Sequence, residues 1–263
     1  MCQFFSFVTA GKKPFFFDWP ARQQFARQQF LSKEPNVNPD SHASIAELHN
    51  LDEDKCNKYE YNPLTKLFCV DQINGRSDER NAEQWVRKLD WTRIIAPLRV
   101  GPIIHPLKIT STRLSKKDKN LLIEWASASV SFGVRDSVWP SASASASASV
   151  RHSVWHSAGA GVWDSICSSV WDSIRSSVWD SVWHSVCKSV RDSRARVIRD
   201  SVGASVWGYV SSFFDIVDFE KFQPCVKLWK RGFVASFDSE TWRLHKGGDA
   251  KIVYEWKPIA GNR

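Results

Sequence analysis

Between Val134 and Val210 an aliphatic residue or alanine returns at nearly every fourth position, and this register constrains the chain more than any other feature. It runs from Val134, Val138 and Ala142 through Val170, Ile174, Val178, Val182 and Val186 to Ile198, Val202, Val206 and Val210, with Arg194 breaking the series. Four residues advance an α-helix by ~400°, so the stripe drifts by ~40° per unit and circles the helix in roughly nine units. A period of about 4.0 also exceeds the ~3.67 of right-handed coiled coils. A straight helix therefore cannot hold these side chains on one buried face. As a strand the pattern mixes Val with Asp and Ser with Trp, which is poor amphipathicity for a sheet.

The residue after each aliphatic is Trp139, Trp155, Trp163, Trp171, Trp179, Trp183 or Trp207 in some units and Arg135, Arg151, Arg175, Arg191 or Arg199 in others. Elsewhere it is Cys167, Cys187, Gly159, Gly203, Ser143 or Ser147. These types differ in volume, charge and rigidity, yet each is one base from the Trp codon. A core selected for packing exchanges residues of similar volume. Substitution along codon adjacency instead marks a short tandem DNA repeat that expanded and then mutated. A smaller duplication places Ala21-Arg22-Gln23-Gln24-Phe25 before Ala26-Arg27-Gln28-Gln29-Phe30. Weak packing constraint follows: two whole units, such as Ser173 to Asp180, should be removable without unfolding the ends.

Local pairs favour helix in the second half of the repeat. Asp172 and Arg175 are three apart, and Asp192–Arg196 and Arg196–Asp200 are four apart, spacings that bring side chains together on a helix. One long helix is expected over 162–212. Pro140, the Ser/Ala alternation of Ser141 to Ser149 and Ala158-Gly159-Ala160-Gly161 leave 134–161 as broken helix or loop.

Hydrophobic content of 43% and charged content of 24% fit a globular protein. The fourteen Trp do not, but the repeat accounts for the seven named above. A net charge of +8 permits contact with nucleic acid or anionic surfaces. The basic residues cluster at Lys188, Arg191, Arg194, Arg196 and Arg199, and in the run Arg113 to Lys119. Six cysteines show no CxxC pair, a pattern of reduced thiols. No secretory signal and no apolar run of ~18 residues are read, so a cytoplasmic protein without membrane attachment is expected, in the host cell's cytoplasm if phage-encoded.

Residues 1–110 read as a small α+β domain. Gln3 to Thr9 and Pro14 to Trp19 form a first hairpin across Gly11-Lys12-Lys13, and Pro20 opens a helical stretch through Phe30. Asp40 or Ser41 caps a helix through Leu48. Lys58 to Tyr61 and Lys66 to Val70 form a second hairpin. Ser77 or Asp78 caps an amphipathic helix to Leu89, with Ala82, Trp85, Val86 and Leu89 on one face. Ile94 to Ile109 carries Pro97, Pro102 and Pro106 and reads as an edge strand or extended linker. Residues 111–133 are a linker or short helix. The tail, 213–263, is expected as a small appendage: a helix from Phe222 to Lys230 closed by Gly232, then a hairpin of Thr241 to Lys246 and Ala250 to Trp256. The fold class expected is thus α+β, with a long repetitive helical segment between two small ends.

Cys2-Gln3-Phe4-Phe5-Ser6, Asp40-Ser41-His42 with Ile45, Tyr59-Glu60-Tyr61-Asn62-Pro63 and Val70-Asp71 resemble uncharacterised proteins of tailed phages and prophage-like elements. Those proteins similarly join a short N-terminal domain to tandem repeats of the SVWDSV type. The resemblance covers roughly the first hundred residues and the repeat. It implies a source and no activity.

Three kinds of chemistry are within reach of these residue types. Cys2 becomes N-terminal if Met1 is removed and could act as a nucleophile activated by its own amine, with His42 as base and Glu60 orienting it. No oxyanion-type segment accompanies it, so an enzyme is the lesser expectation. Lys188, Arg191, Arg194, Arg196 and Arg199, with Trp183 and Trp207 as stacking groups, could hold nucleic acid. His152 and His156 could face one metal, but a third ligand is missing, and neither metal nor cofactor is expected. The leading expectation is a non-enzymatic phage or mobile-element accessory protein. Its N-terminal domain carries any specific contact, and the repeat serves as spacer or self-association segment.

Overall fold

The structure is a computed structural model and describes residues 5–18, 41–94, 98–110, 112–131, 168–190, 195–214 and 219–258. The chain divides into two compact units: Met1–Pro102 with Ser153–Ser173 and Phe213–Asp215, and Ile103–His152 with Ile174–Ser212 and Ile216–Arg263.

The first unit is built on a four-stranded antiparallel sheet. Strands β1 (Phe5–Ala10) and β2 (Lys13–Phe15) form the first hairpin; after helix α1 (His42–Leu48), β3 (Asn57–Asn62) and β4 (Leu67–Gln72) form the second. The sheet order is β2-β1-β3-β4, so β1 and β3 are its centre. Alternation sends Phe5, Phe7, Tyr59 and Tyr61 to one side, where they meet Trp85 of helix α2 (Glu79–Val86) and Trp91 of the short helix α3 (Trp91–Ile94). A second cluster holds Val8, Phe17, Ile45 of α1 and Cys56.

Ser41 caps α1, its Oγ accepting from Ser44 N at 3.1 Å. Asp78 stands at the cap position of α2 but makes no side-chain cap bond. Its Oδ1 is already taken by Thr9 Oγ1 (3.1 Å), Asn57 Nδ2 (2.8 Å) and Tyr59 OH (2.5 Å). The helix ends at Val86, short of Leu89. Of the edge strand or extended linker expected between Ile94 and Ile109, no edge strand forms among the described residues, which hold a lone bridge, Leu98 to Phe214, and a 3-10 turn at Pro106–Lys108.

The second unit corrects the expected fold most. Of the linker or short helix expected over 111–133, the described residues form a helix, α4 (Lys116–Ser131), in which Leu121, Leu122, Trp125 and Ala126 are all buried. The single helix expected over 162–212 is absent as such. In its place stand α5 (Ser168–Ile174), which belongs to the first unit up to Ser173, and in the second unit a π turn (Arg175–Trp179), α6 (Asp180–Val190) and α7 (Ala195–Ser211). Residues 162–167 and 191–194, and the broken helix or loop expected over 134–161, lie outside the described residues, as does the expected helix through Phe30.

The repeat is core, not spacer. Ile174, Val178, Val182, Val186, Ile198, Val202, Val206 and Val210 are all essentially inaccessible. Two devices absorb the drift. From Ile174 to Val186 three units would turn the stripe by ~120° on an ideal helix, and the extra residue in the π turn returns it by ~100°. In α7 every residue from Ser201 to Ser211 is buried, and a helix enclosed on all sides has no wrong face.

The tail is not an appendage. The expected helix is α8 (Gln223–Lys230), and its end forms a Schellman motif: Gly232 at φ +87 donates to Trp229 O (3.0 Å) and Phe233 N to Leu228 O (3.0 Å). The expected hairpin gains a third strand, giving a sheet of β5 (Val234–Phe237), β6 (Trp242–Lys246) and β7 (Lys251–Trp256) in that order. This sheet shares the core of α7, with Phe237 N donating to Ser201 Oγ at 2.9 Å. Tyr209 of α7 and Trp229 of α8 stack at 5.2 Å and grip Ile104 by both backbone groups: its N donates to Tyr209 OH (2.8 Å), its O accepts from Trp229 Nε1 (3.0 Å).

Close helix approach depends on Gly208. A Cβ there would overlap Cys225 Sγ and stand 3.3 Å from Phe222 Cδ1. Ala is the better helix former by ~1 kcal/mol, but overpacking typically costs 1–3 kcal/mol, roughly. Gly208→Ala is expected to destabilise by about 1–2 kcal/mol in urea unfolding, and the double variant with Cys225→Ala to recover part of that. A Gly208→Ala protein as stable as the parent would refute the packing account.

Candidate functional site

Cys2 lies outside the described residues. His42 opens α1, and both ring nitrogens are engaged: Nε2 lies 3.1 Å from Tyr59 O and Nδ1 3.3 Å from Asp71 Oδ2. Glu60 sits in β3 between Ser6 and Cys69 in the sheet register. His42 is thus spent in joining α1 to β3 and β4.

The described cysteines are poor nucleophiles. Burial raises the thiol pKa of Cys56, Cys69, Cys187 and Cys225, and at Cys69 the Glu60 charge adds to it. A reactive cysteine needs the opposite shift.

Of the proposed nucleic-acid residues, Lys188 is exposed on α6. Arg199 lies 5.5 Å over the Trp183 ring, and Trp207 is buried in α7. Both Trp rings are therefore occupied within the unit. Arg191 and Arg194 lie outside the described residues, as do the Arg196 side chain, His152 and His156. No cluster of three metal-ligating groups occurs among the described residues, and no helix among them is long and apolar enough to cross a membrane.

Sequence reasoning missed a serine–histidine pair in the second unit. Ser236 Oγ and His245 Nε2 are 2.7 Å apart, and His245 Nδ1 is 2.9 Å from Ala250 O. The carbonyl can only accept, so Nδ1 carries the proton and Nε2 accepts from Ser236. Ser189 Oγ stands 3.1 Å from the same Nδ1. This is the hydrogen-bond order of a nucleophile, its base and an orienting acceptor. Yet Ser236 and His245 are both 0% exposed, so the pair is a core clamp joining α6, β5 and β6. Burial pulls the His245 pKa down to about 4, keeping the ring neutral at pH 7. Ser236 and His245 stand on neighbouring strands nine residues apart and Ser189 on a helix 56 residues before His245, so no motif announces them.

Two surfaces remain. In the first unit β4 is a sheet edge. Leu67 (49% exposed) and Val70 (38%) lie on it and Ile73 (40%) just beyond. In the second unit Arg113, Lys116, Lys117, Lys119, Lys246 and Lys251 surround the start of α4 and the β6–β7 turn. Lys119 Nζ lies 4.9 Å over the Tyr254 ring of β7, and Lys246 Nζ donates to Thr112 O.

Comparison with protein-family models, curated proteins and solved structures finds no match to this chain.

Proposed function

We propose that this chain is a non-enzymatic accessory protein of a phage or mobile element, and that it works by association through its N-terminal unit. The resemblance of the N-terminal motifs supports the setting. Thiols held protonated by burial and histidines committed to structural bonds support a binding role. The observation that carries the reading is the β4 edge. Of five large apolar side chains that stand exposed among the described residues, three fall on Leu67, Val70 and Ile73. An edge strand offers one row of unpaired backbone groups to another strand.

The occupant that fits is β4 of a second copy, paired antiparallel about Cys69. That register sets Phe68 against Val70 of the other copy, twice by symmetry. It uses only the stretch before the irregularity that displaces the pairing of Lys58 with Gln72. It also brings the two Cys69 Cα atoms to about 4.5–5.5 Å, within disulfide range. Sedimentation equilibrium should show a dimer, and mild oxidation should cross-link it through Cys69. Val70→Lys, on an exposed side chain, should give a folded monomer that does not cross-link. A parent protein that stays monomeric would sink the proposal.

A further inference from the structure

From the second unit we infer a nucleic-acid binding face, held by phosphate contacts around the start of α4 and the β6–β7 turn. It stands independently of β4. Six basic side chains meet here: Arg113, Lys116, Lys117 and Lys119 from the chain entering α4, and Lys246 and Lys251 from the hairpin. Two contacts draw the groups together: Lys119 over Tyr254, and Lys246 onto Thr112, the residue before Arg113.

The arrangement works against the stability of the unit. Lys116, Lys117 and Lys119 occupy the first turn of a sixteen-residue helix, where the macrodipole repels cations. Lys246 and Lys251 are direct cross-strand partners, and like charges so placed destabilise a sheet. The carboxylates nearby bring little relief. Asp118 is buried and bound by Arg231 at 2.5 and 3.0 Å, and Glu255 is bound by Arg243 at 2.8 Å. Asp249, in the turn itself, and Glu255 are the exposed ones of these. None of the six cations forms an ion pair among the described residues. A polyanion would relieve both repulsions at once.

Nucleic acid fits better than an anionic bilayer. Among the described residues the exposed large apolar side chains are Leu48, Leu67, Val70, Ile73 and Val100, all in the first unit, so the described part of this face offers none to insert among lipid chains. The partly exposed Tyr254 beside Lys119 instead offers an aromatic surface within the cationic one. The site also differs from the repeat cluster around Lys188 and Arg199.

The test is fluorescence anisotropy of the full chain with a mixed-sequence duplex and with a single-stranded oligonucleotide. Binding to at least one is expected at low salt and should weaken steeply as salt rises. Lys116→Glu with Lys117→Glu should weaken binding by at least about tenfold and lower the salt slope by about two. The same pair should leave thermal stability equal or higher, because it places acids where the helix dipole favours them. Lys188→Glu should keep near-parental affinity. No binding at low salt, equal affinity of the double variant, or capture by phosphatidylserine vesicles without oligonucleotide binding would each overturn the inference. The Val70→Lys monomer should still bind, so failure here is separable from failure of the β4 dimer.

Discussion

A chain lacking Ser173 to Asp180 is expected to lose the cooperative unfolding of its second unit. The deletion removes two whole repeat units and keeps the sequence register intact, so a neutral spacer would tolerate it. The structure gives the opposite expectation. Ile174 and Val178 are 0% and 2% exposed, and each contributes about 1.5–3 kcal/mol by burial. Their joint loss takes a large share of the ~5–15 kcal/mol that holds a typical domain together. The cut also removes the π turn, without which Val182 and Val186 no longer continue the buried stripe. Ser173 belongs to the first unit, and the cut also removes the 2.7 Å hydrogen bond it accepts there from Asn62 Nδ2. Urea unfolding followed by tryptophan fluorescence and circular dichroism decides it. An unchanged transition would restore the spacer view.

Stability is expected to fall by about 3 kcal/mol between pH 7 and pH 4 through His245 alone. Burial lowers its pKa from 6.5 to about 4 in the fold, so the unfolded chain binds the proton first. The stabilisation is fully present above pH 6.5, declines as pH falls toward 4, and is exhausted below that. A shift of this size corresponds to about 3 kcal/mol. Structurally, protonation makes Nε2 a donor and displaces the hydrogen that Ser236 gives it. His105, also lowered by burial, adds with the same sign.

Asp118 and Asp238 act in a lower window. Burial opposes their charged forms, but hydrogen bonds from Arg231 and Ser115, and from Thr241 and Arg243, hold both below the usual 3.8. Their contribution is lost only as pH falls below that value. His245→Leu should lower stability at pH 7 and flatten most of the slope between pH 7 and 4.5. A slope unchanged in that variant would assign the acid sensitivity elsewhere.

The short-range signals were legible in the sequence. Alternating aromatics marked β1 and β3, Ser41 marked the start of α1, and Gly232 marked the end of α8. Each depends on residues within a few positions, where backbone preference and capping decide the outcome. Asp78 shows the limit. Its position before a helix reads as a cap, but three side chains from distant strands claim its carboxylate first. Ser236, His245 and Ser189 show the same limit at the candidate site, since they become a cluster only when β5, β6 and α6 are assembled.

The sequence by itself determined the four-residue register and its period. It also determined that an ideal helix could not bury the stripe on one face. Only the tertiary structure decided that the stripe is buried regardless. One extra residue in a π turn resets its angle, and the enclosure of α7 removes the need for a preferred face. The physical reason is that helix phase is a local property, whereas which direction counts as inside depends on what packs around the helix. For α7 that includes α8, reached through Gly208, and β5, reached through Ser201. A position that varies among Trp, Arg, Cys, Gly and Ser thus coexists with aliphatic positions that are buried from Ile174 to Val186 and from Ile198 to Val210.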